Sequence, residues 1–268
     1  MPTSASRADR HALYEQSVQC AEAEIDFIDH LWRQRHHRPA RLLREDFCGS
    51  ALVCAEWVKR HRRNQAIGID LDPEVLAWGR ARHLAALPEE TRARVTLLHA
   101  DVLTADPPQA EIVLAMNFSY WLFKERATLR AYFERARAGL KPGGLFVLDA
   151  YGGYDAFREI VEEREIDGEN GPFTYIWEQT AYNPVDGDLQ CDIHFTFPDG
   201  SRIERAFHYD WRLWTLPELR ELLAEAGFHD IVVHGQGFDA DDEPDGDFQP
   251  RTRIDADAGW ICYLSAEA

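Results

Sequence analysis

Two stretches about twenty residues apart constrain this chain most: LLREDFCGSA at residues 42–51 and AIGIDLDP at residues 66–73. Each reads as a short apolar strand running into a turn and then a helix. The second strand ends on Asp70. At the carboxyl end of a parallel strand, such an acid can accept hydrogen bonds from ribose hydroxyls. The first turn narrows the choice of nucleoside. A dinucleotide needs G-x-G-x-x-G, so that backbone N–H groups reach a pyrophosphate at the helix N-terminus. This turn keeps only Gly49, with Glu45 and Asp46 before it. Carboxylates there repel a pyrophosphate and favour a cation. S-adenosylmethionine, a nucleoside with an ammonium and a sulfonium but no phosphate, satisfies both demands.

Bulk properties point to a soluble enzyme. An apolar content of 45% with 12% aromatics, over 268 residues, excludes a largely disordered chain and allows a substantial core. The net charge of −18 and a pI near 5.0 argue against nucleic acid, because such binders carry basic faces that displace counterions. The one basic-leaning stretch, residues 33–44, reads as a solvated helix end. The five cysteines (Cys20, Cys48, Cys54, Cys191, Cys262) form no C-x-x-C pair, which fits reduced thiols and no zinc site. No signal peptide or bilayer-spanning apolar run is apparent, so the expected location is cytoplasmic and no membrane partner is expected.

Residues 1–10 are expected to fray. Apolar residues at helical spacing over 11–32 predict one or two amphipathic helices. Strands follow at 41–47, 66–70, 95–99, 111–116 and 145–149. Ser50 is placed to cap the first core helix, and Pro73 opens the second behind Asp72. A helix over about 128–140 ends at the Lys141-Pro142-Gly143-Gly144 turn. This alternation implies right-handed crossovers and a parallel sheet. After Tyr151 the rhythm changes to aromatic-rich alternating runs near 173–177, 192–197 and 203–209, separated by turn sequences, which predicts an antiparallel meander. A helix at 216–226, a strand at 228–234, an acidic loop at 239–247 and a strand at 260–264 complete the chain. The expected parts are therefore an N-terminal helical cap (1–40), an α/β core (41–150), an antiparallel lid or insertion (151–214) and a C-terminal part completing the core (215–268).

With these motifs in order, the chain resembles the class I S-adenosylmethionine-dependent methyltransferases of small-molecule type. The likeness rests on Glu45-Asp46-Phe47-Cys48-Gly49-Ser50, Gly68-Ile69-Asp70, Ala100-Asp101-Val102 and Asn117-Phe118-Ser119-Tyr120. Leu140-Lys141-Pro142-Gly143-Gly144 and the helix end Leu223-Ala224-Glu225-Ala226-Gly227-Phe228 extend it. It spans about residues 41–234. The first motif departs from the family pattern at Glu45 in place of aspartate, at Phe47 in place of a small residue, and at Ala51 in place of glycine. The resemblance implies a Rossmann-like, doubly wound, mostly parallel seven-stranded α/β sheet with the meander inserted. It also implies roles. Glu45 and the backbone at Gly49 hold the methionine ammonium; Asp70 takes the ribose, with Leu71 against the adenine; Asp101 and the Val102 N–H meet the adenine edge. Asn117 lies where cofactor and substrate meet, with Tyr120 at the active-site mouth. Tyr14 can close over the cofactor from the N-terminal helix.

The expected reaction is N- or O-methylation of a small molecule by direct displacement. With no convincing base or metal cluster, an amine or an acidic hydroxyl is the favoured acceptor. His194 and His208 read as packing or surface residues of the meander, and the 239–247 loop lacks calcium-site spacing. The meander reads as a lid over the substrate, with a homodimer surface as the other option. The alternatives are a protein side-chain methyltransferase, a nicotinamide-dependent oxidoreductase, and a cofactor-binding protein that has lost catalysis because Phe47 fills the donor pocket.

Overall fold

A computed structural model describes residues 2–238 and 244–268. Three helices, α1 (Ser4–Arg7), α2 (Arg10–Val18) and α3 (Ala21–His36), lead into β1 (Leu42–Asp46). Then come α4 (Leu52–Arg60), β2 (Gln65–Asp70), α5 (Pro73–Gly79), α6 (Glu89–Arg92), β3 (Val95–His99), β4 (Ala110–Ala115), α7 (Arg126–Ala138) and β5 (Leu140–Gly152). The meander is β6 (Ile160–Gly168), β7 (Gly171–Tyr182), β8 (Asp188–Thr196) and β9 (Arg202–Arg212). The chain closes with α8 (Leu216–Glu225), β10 (His229–Phe238), β11 (Pro244–Arg251) and β12 (Trp260–Glu267).

The main sheet runs β11-β10-β12-β5-β4-β1-β2-β3. β3, β2, β1, β4 and β5 are parallel, and β12 returns antiparallel to β5. From β1 the chain steps outward to β2 and β3, then crosses back to β4. That reversal opens a crevice at the carboxyl ends of β1 and β4, where ligands of such sheets bind. β4 is buried at every position because helices cover both faces, and apart from Glu111 it reads accordingly as an apolar run. On one face α3 and α4 pack Ile28, Trp32, Val53 and Trp57 over Leu43, Leu114 and Val147. On the other, α7 and α8 pack Tyr132, Phe133 and Leu223 over Val113, Phe146 and Leu148. Beneath α7 lies a buried pair: Arg44 grips both oxygens of Asp46 at 2.6 and 2.9 Å, and Tyr132 donates to Asp46 at 3.0 Å.

The doubly wound core and the inserted meander match expectation, and four details differ. The sheet has eight strands, because β11 hairpins onto β10 where irregular chain was expected; residues 239–243 of the acidic loop lie outside the described residues. The meander has four strands, order β6-β7-β8-β9. β6 escaped the sequence pattern because it is a charged, largely exposed edge strand, the usual guard against edge-to-edge pairing. Residues 3–10 are structured: Thr3 caps α1, whose Ser4 and Ala5 N–H groups donate to Asp199 and Ser201 of the meander. Ser50 caps nothing; α4 starts from Ala51 in the left-handed region.

The meander's inner face (Phe173, Trp177, Ile193, Phe195) packs on Leu13 and Tyr14 of α2. The N-terminal helices are thereby clamped between the meander and the crevice. α5 also approaches the β1–α4 turn closely, since a Cβ on Gly79 would lie 2.0 Å from the Ser50 carbonyl oxygen. Backbone cannot yield as a side chain does. Gly79→Ala should lose roughly 2 kcal/mol in urea unfolding, and wild-type stability would show that the contact is slack.

Candidate active site

The β1–α4 turn places Phe47, Gly49 and Ala51 in the left-handed region at φ 58°, 50° and 59°. Two of these are not glycine, so the turn carries strain of roughly 1–2 kcal/mol at each. Phe47 holds its position by turning its ring into the core, 5.4 Å from Tyr132 and 5.9 Å from Phe123 between centroids. It therefore does not fill the space over the turn, where a Cβ on Gly49 would meet nothing within 4 Å. The Cys48 N–H donates to the Ile69 carbonyl at 3.0 Å. The N–H groups of Gly49 and Asp72 donate to separate oxygens of Asp70 at 2.7 and 2.9 Å. Those bonds fix the Asp70 carboxylate at the crevice rim. Asp72 itself caps α5.

α2 is bound over this turn. Ser50 Oγ donates to Glu15, which His83 Nε2 meets at 2.7 Å, and Trp78 Nε1 donates to Asp9 at 2.5 Å.

Behind the turn lie Glu24, Glu45 and Asp149, each under a tenth exposed. Burial pushes Glu45 up to about 8, against the relief of the Cys54 thiol donating at 3.1 Å. Burial likewise lifts Glu24 to about 7, and Asp149 to about 7 although the Asn117 and Phe118 N–H groups donate to it at 2.7 and 2.9 Å. Among the described residues none of the three is ion-paired. Asp46 is not part of this cluster: neighbouring strand residues face opposite ways, and it lies on the far side with Arg44. Of the two carboxylates read from the motif, Asp46 is neutralised by Arg44 and only Glu45 lacks a cationic partner. A buried cluster of carboxylates without a cationic partner, close to Asp70, would suit a ligand that brings its own positive charge.

The remaining sequence-predicted residues distribute as follows. Asn117, at φ 57°, and Tyr14 line a cavity of about 880 Å³ under the meander. Its walls include Phe118, Tyr151, Trp177 and Trp211; Tyr209 and Trp211 stack at 4.2 Å, and the Tyr14 and Tyr209 hydroxyls are hydrogen-bonded. Tyr120 is not at the mouth: it is fully buried, its hydroxyl donating to the Asp149 carbonyl at 2.7 Å, and it can only position that strand. Leu71 is 66% exposed beside Asp70. Asp101 accepts from the Leu103 N–H at 2.9 Å, and the Val102 side chain is buried in the core. His194 bonds Glu178 and Glu204, and His208 bonds Asp192; neither lines the cavity. The one cluster of metal-ligand geometry among the described residues, His229, Asp230 and Glu267, does not line it either. Glu24, Asp149, Glu15 and His83 were missed in the sequence. Asp149 carried a signal, an acid ending a strand as Asp70 does; the others looked like ordinary helix residues.

Residues 48–146 match the family described as a methyltransferase domain. This stretch is a methyltransferase domain. No curated protein matches the chain. Among solved structures, it resembles the S-adenosylmethionine-bound CalS10, an amino pentose methyltransferase from Micromonospora echinaspora (17% identity, TM-score 0.68, 95% of each chain covered). It also resembles Streptomyces venezuelae DesVI (18%, TM-score 0.69, covering 95% of this chain and 94% of that one). A third is the sugar N-methyltransferase KedS8 from Streptoalloteichus (18%, TM-score 0.64, 95% and 92%). At such identities the likeness is one of fold, and it runs the length of the chain, meander included. Among the described residues no helix is long and apolar enough to cross a membrane.

The three buried acids, Glu24, Glu45 and Asp149, give a pH dependence whose sign can be worked out. Their folded pKa values lie above the unfolded ones, so between these values the folded state holds more protons and stability falls as pH rises. The four histidines with depressed values (His11, His36, His61, His234) act oppositely, but only up to about pH 6.5. The ligand-free protein should therefore melt at lower temperature as pH rises from about 6.5 to 8. A flat or rising profile in that window would contradict the assignment.

Proposed function

We propose that the chain transfers a methyl group from S-adenosylmethionine to a nitrogen of a small amine-bearing molecule, an amino sugar or a compound of similar size. The observation that carries this reading is the junction at Asn117 and Phe118. Their N–H groups are tied to the acid cluster through Asp149, while the same two residues wall the aromatic cavity. Donor site and acceptor site thus meet at one strained turn.

When bound, the donor supplies a methyl group on a sulfonium that needs no further activation. The chain's own work is to hold and enclose. Asp70 accepts from the ribose hydroxyls, Leu71 covers the adenine, Asp101 and the Val102 N–H meet its edge, and Glu45 with the Gly49 backbone takes the ammonium. The cavity's aromatic walls exclude water and orient the acceptor, which is where most of the rate in a direct displacement arises. An amine suits walls without a histidine or metal cluster, because it need only arrive unprotonated. The activities of CalS10 and KedS8, on an amino pentose and a sugar nitrogen, support the same class. A cavity enclosed by both α2 and the meander favours a small acceptor over a protein side chain.

Incubation with methyl-labelled donor should label amino sugars and not their hydroxyl counterparts. Labelling of hydroxyls alone, of a protein side chain, or only with added magnesium would contradict the proposal. Asp70→Ala should weaken donor binding about ten- to a hundredfold, the loss of charged hydrogen bonds worth roughly 1.5–3 kcal/mol. Trp177→Ala should raise the acceptor KM about tenfold and leave donor affinity unchanged; a loss of donor affinity would place Trp177 elsewhere.

A further inference from the structure

Glu24 stands in the first turns of α3 on the helix face that also buries Ala21, Ile25 and Ile28. An apolar side chain would pack there without penalty. The acid instead is 6% exposed, and its carboxylate takes a hydrogen bond from the Cys20 backbone. Its Oε2 is buried with no hydrogen-bond partner. Glu22, one position from the solvated side, already supplies a negative charge for the helix N-terminus. Helix stability therefore does not explain Glu24.

The groups around it come from four further elements. Its charge acts on Tyr14 of α2, Glu45 of β1, Asp149 of β5 and Tyr263 of β12. None is a cation, and two are acids. β5 and β12 pair at Asp149 and Tyr263, so Glu24 lies over the carboxyl end of the sheet, where β1 also ends on Glu45 and Asp46. A buried oxygen lacking a partner, held among other carboxylates, is a group kept for a positive charge that the protein itself does not provide.

We propose that Glu24 is a second carboxylate ligand of the donor's methionine ammonium, acting together with Glu45. This rests on the donor reading above and adds a contact from outside the methyltransferase-domain match, which begins at residue 48. It also gives the N-terminal helices a binding role. α2 covers the turn through Glu15 and Asp9, and α3 brings the counter-charge beneath it.

The test is calorimetric titration of wild type and Glu24→Gln with two ligands. S-adenosylhomocysteine carries the amino-acid tail; 5′-methylthioadenosine has the nucleoside and the sulfur but no tail. Glu24→Gln should bind S-adenosylhomocysteine about ten- to a hundredfold more weakly and 5′-methylthioadenosine within about twofold of wild type. Glu24→Asp, which keeps the charge on a shorter arm, should recover part of the loss. Glu24→Gln should also melt no lower than wild type at pH 8, because it removes a buried charge. Unchanged S-adenosylhomocysteine affinity would overturn the proposal, as would equal weakening of both ligands, which marks a packing role. If wild type bound neither ligand, the donor reading itself would fall and this proposal with it.

Discussion

The turn between β1 and α4 is held from several sides by groups that have no other reason to meet. Ile69 takes its first N–H, Asp70 its second, Gly79 presses on its carbonyl, and Glu15 reaches down to Ser50 from α2. The four contacts come from three elements, so the conformation of five residues depends on the packing of β2, α5 and the N-terminal helices together. That is how a turn with two non-glycine residues in the left-handed region persists. The Phe47 ring between Tyr132 and Phe123 offsets part of the strain by burying apolar surface in the core.

Around this turn the molecule separates its charges by strand alternation. On the α7 side of the sheet, Arg44 neutralises Asp46 and Tyr132 completes its hydrogen bonding, a closed network with nothing left to offer a ligand. On the α3 side, Glu24, Glu45 and Asp149 are buried with no cation among the described residues. A folded chain tolerates such a cluster only by keeping protons on it or by admitting a cation. The cost is borne by the ligand-free state, and a cationic ligand removes it. Such a cluster would favour a cationic ligand and disfavour a phosphate-bearing one.

How much of this was legible in the sequence follows the physics of each element. β2 was readable because a parallel strand buried on both faces is an apolar run, here Ala66 to Ile69, that breaks on Asp70; β1 offered only Leu42 and Leu43 and was read from the acids and Gly49 that follow. The meander was readable from aromatic alternation on β7, β8 and β9, whereas β6 offered an edge sequence of Glu and Arg that looks like solvated loop. The Phe47 substitution looked obstructive because the side-chain direction at a positive-φ position cannot be read from spacing. Tyr120 looked like a mouth residue because its neighbour Asn117 is one, yet the 3-10 turn after Phe118 rotates it into the core. Glu24 carried no signal at all, since an acid in AEAEID is what any exposed helix start displays, and only the tertiary placement of α3 makes it a buried charge.

The most direct measurement is a crystal structure of the protein with S-adenosylhomocysteine bound. The account predicts the ribose on Asp70, the amino-acid tail among Glu45, Glu24 and the Gly49 backbone, and the sulfur facing the aromatic cavity beside Asn117. Adenosine seated away from Asp70, or a tail turned out to solvent with the three acids untouched, would contradict it.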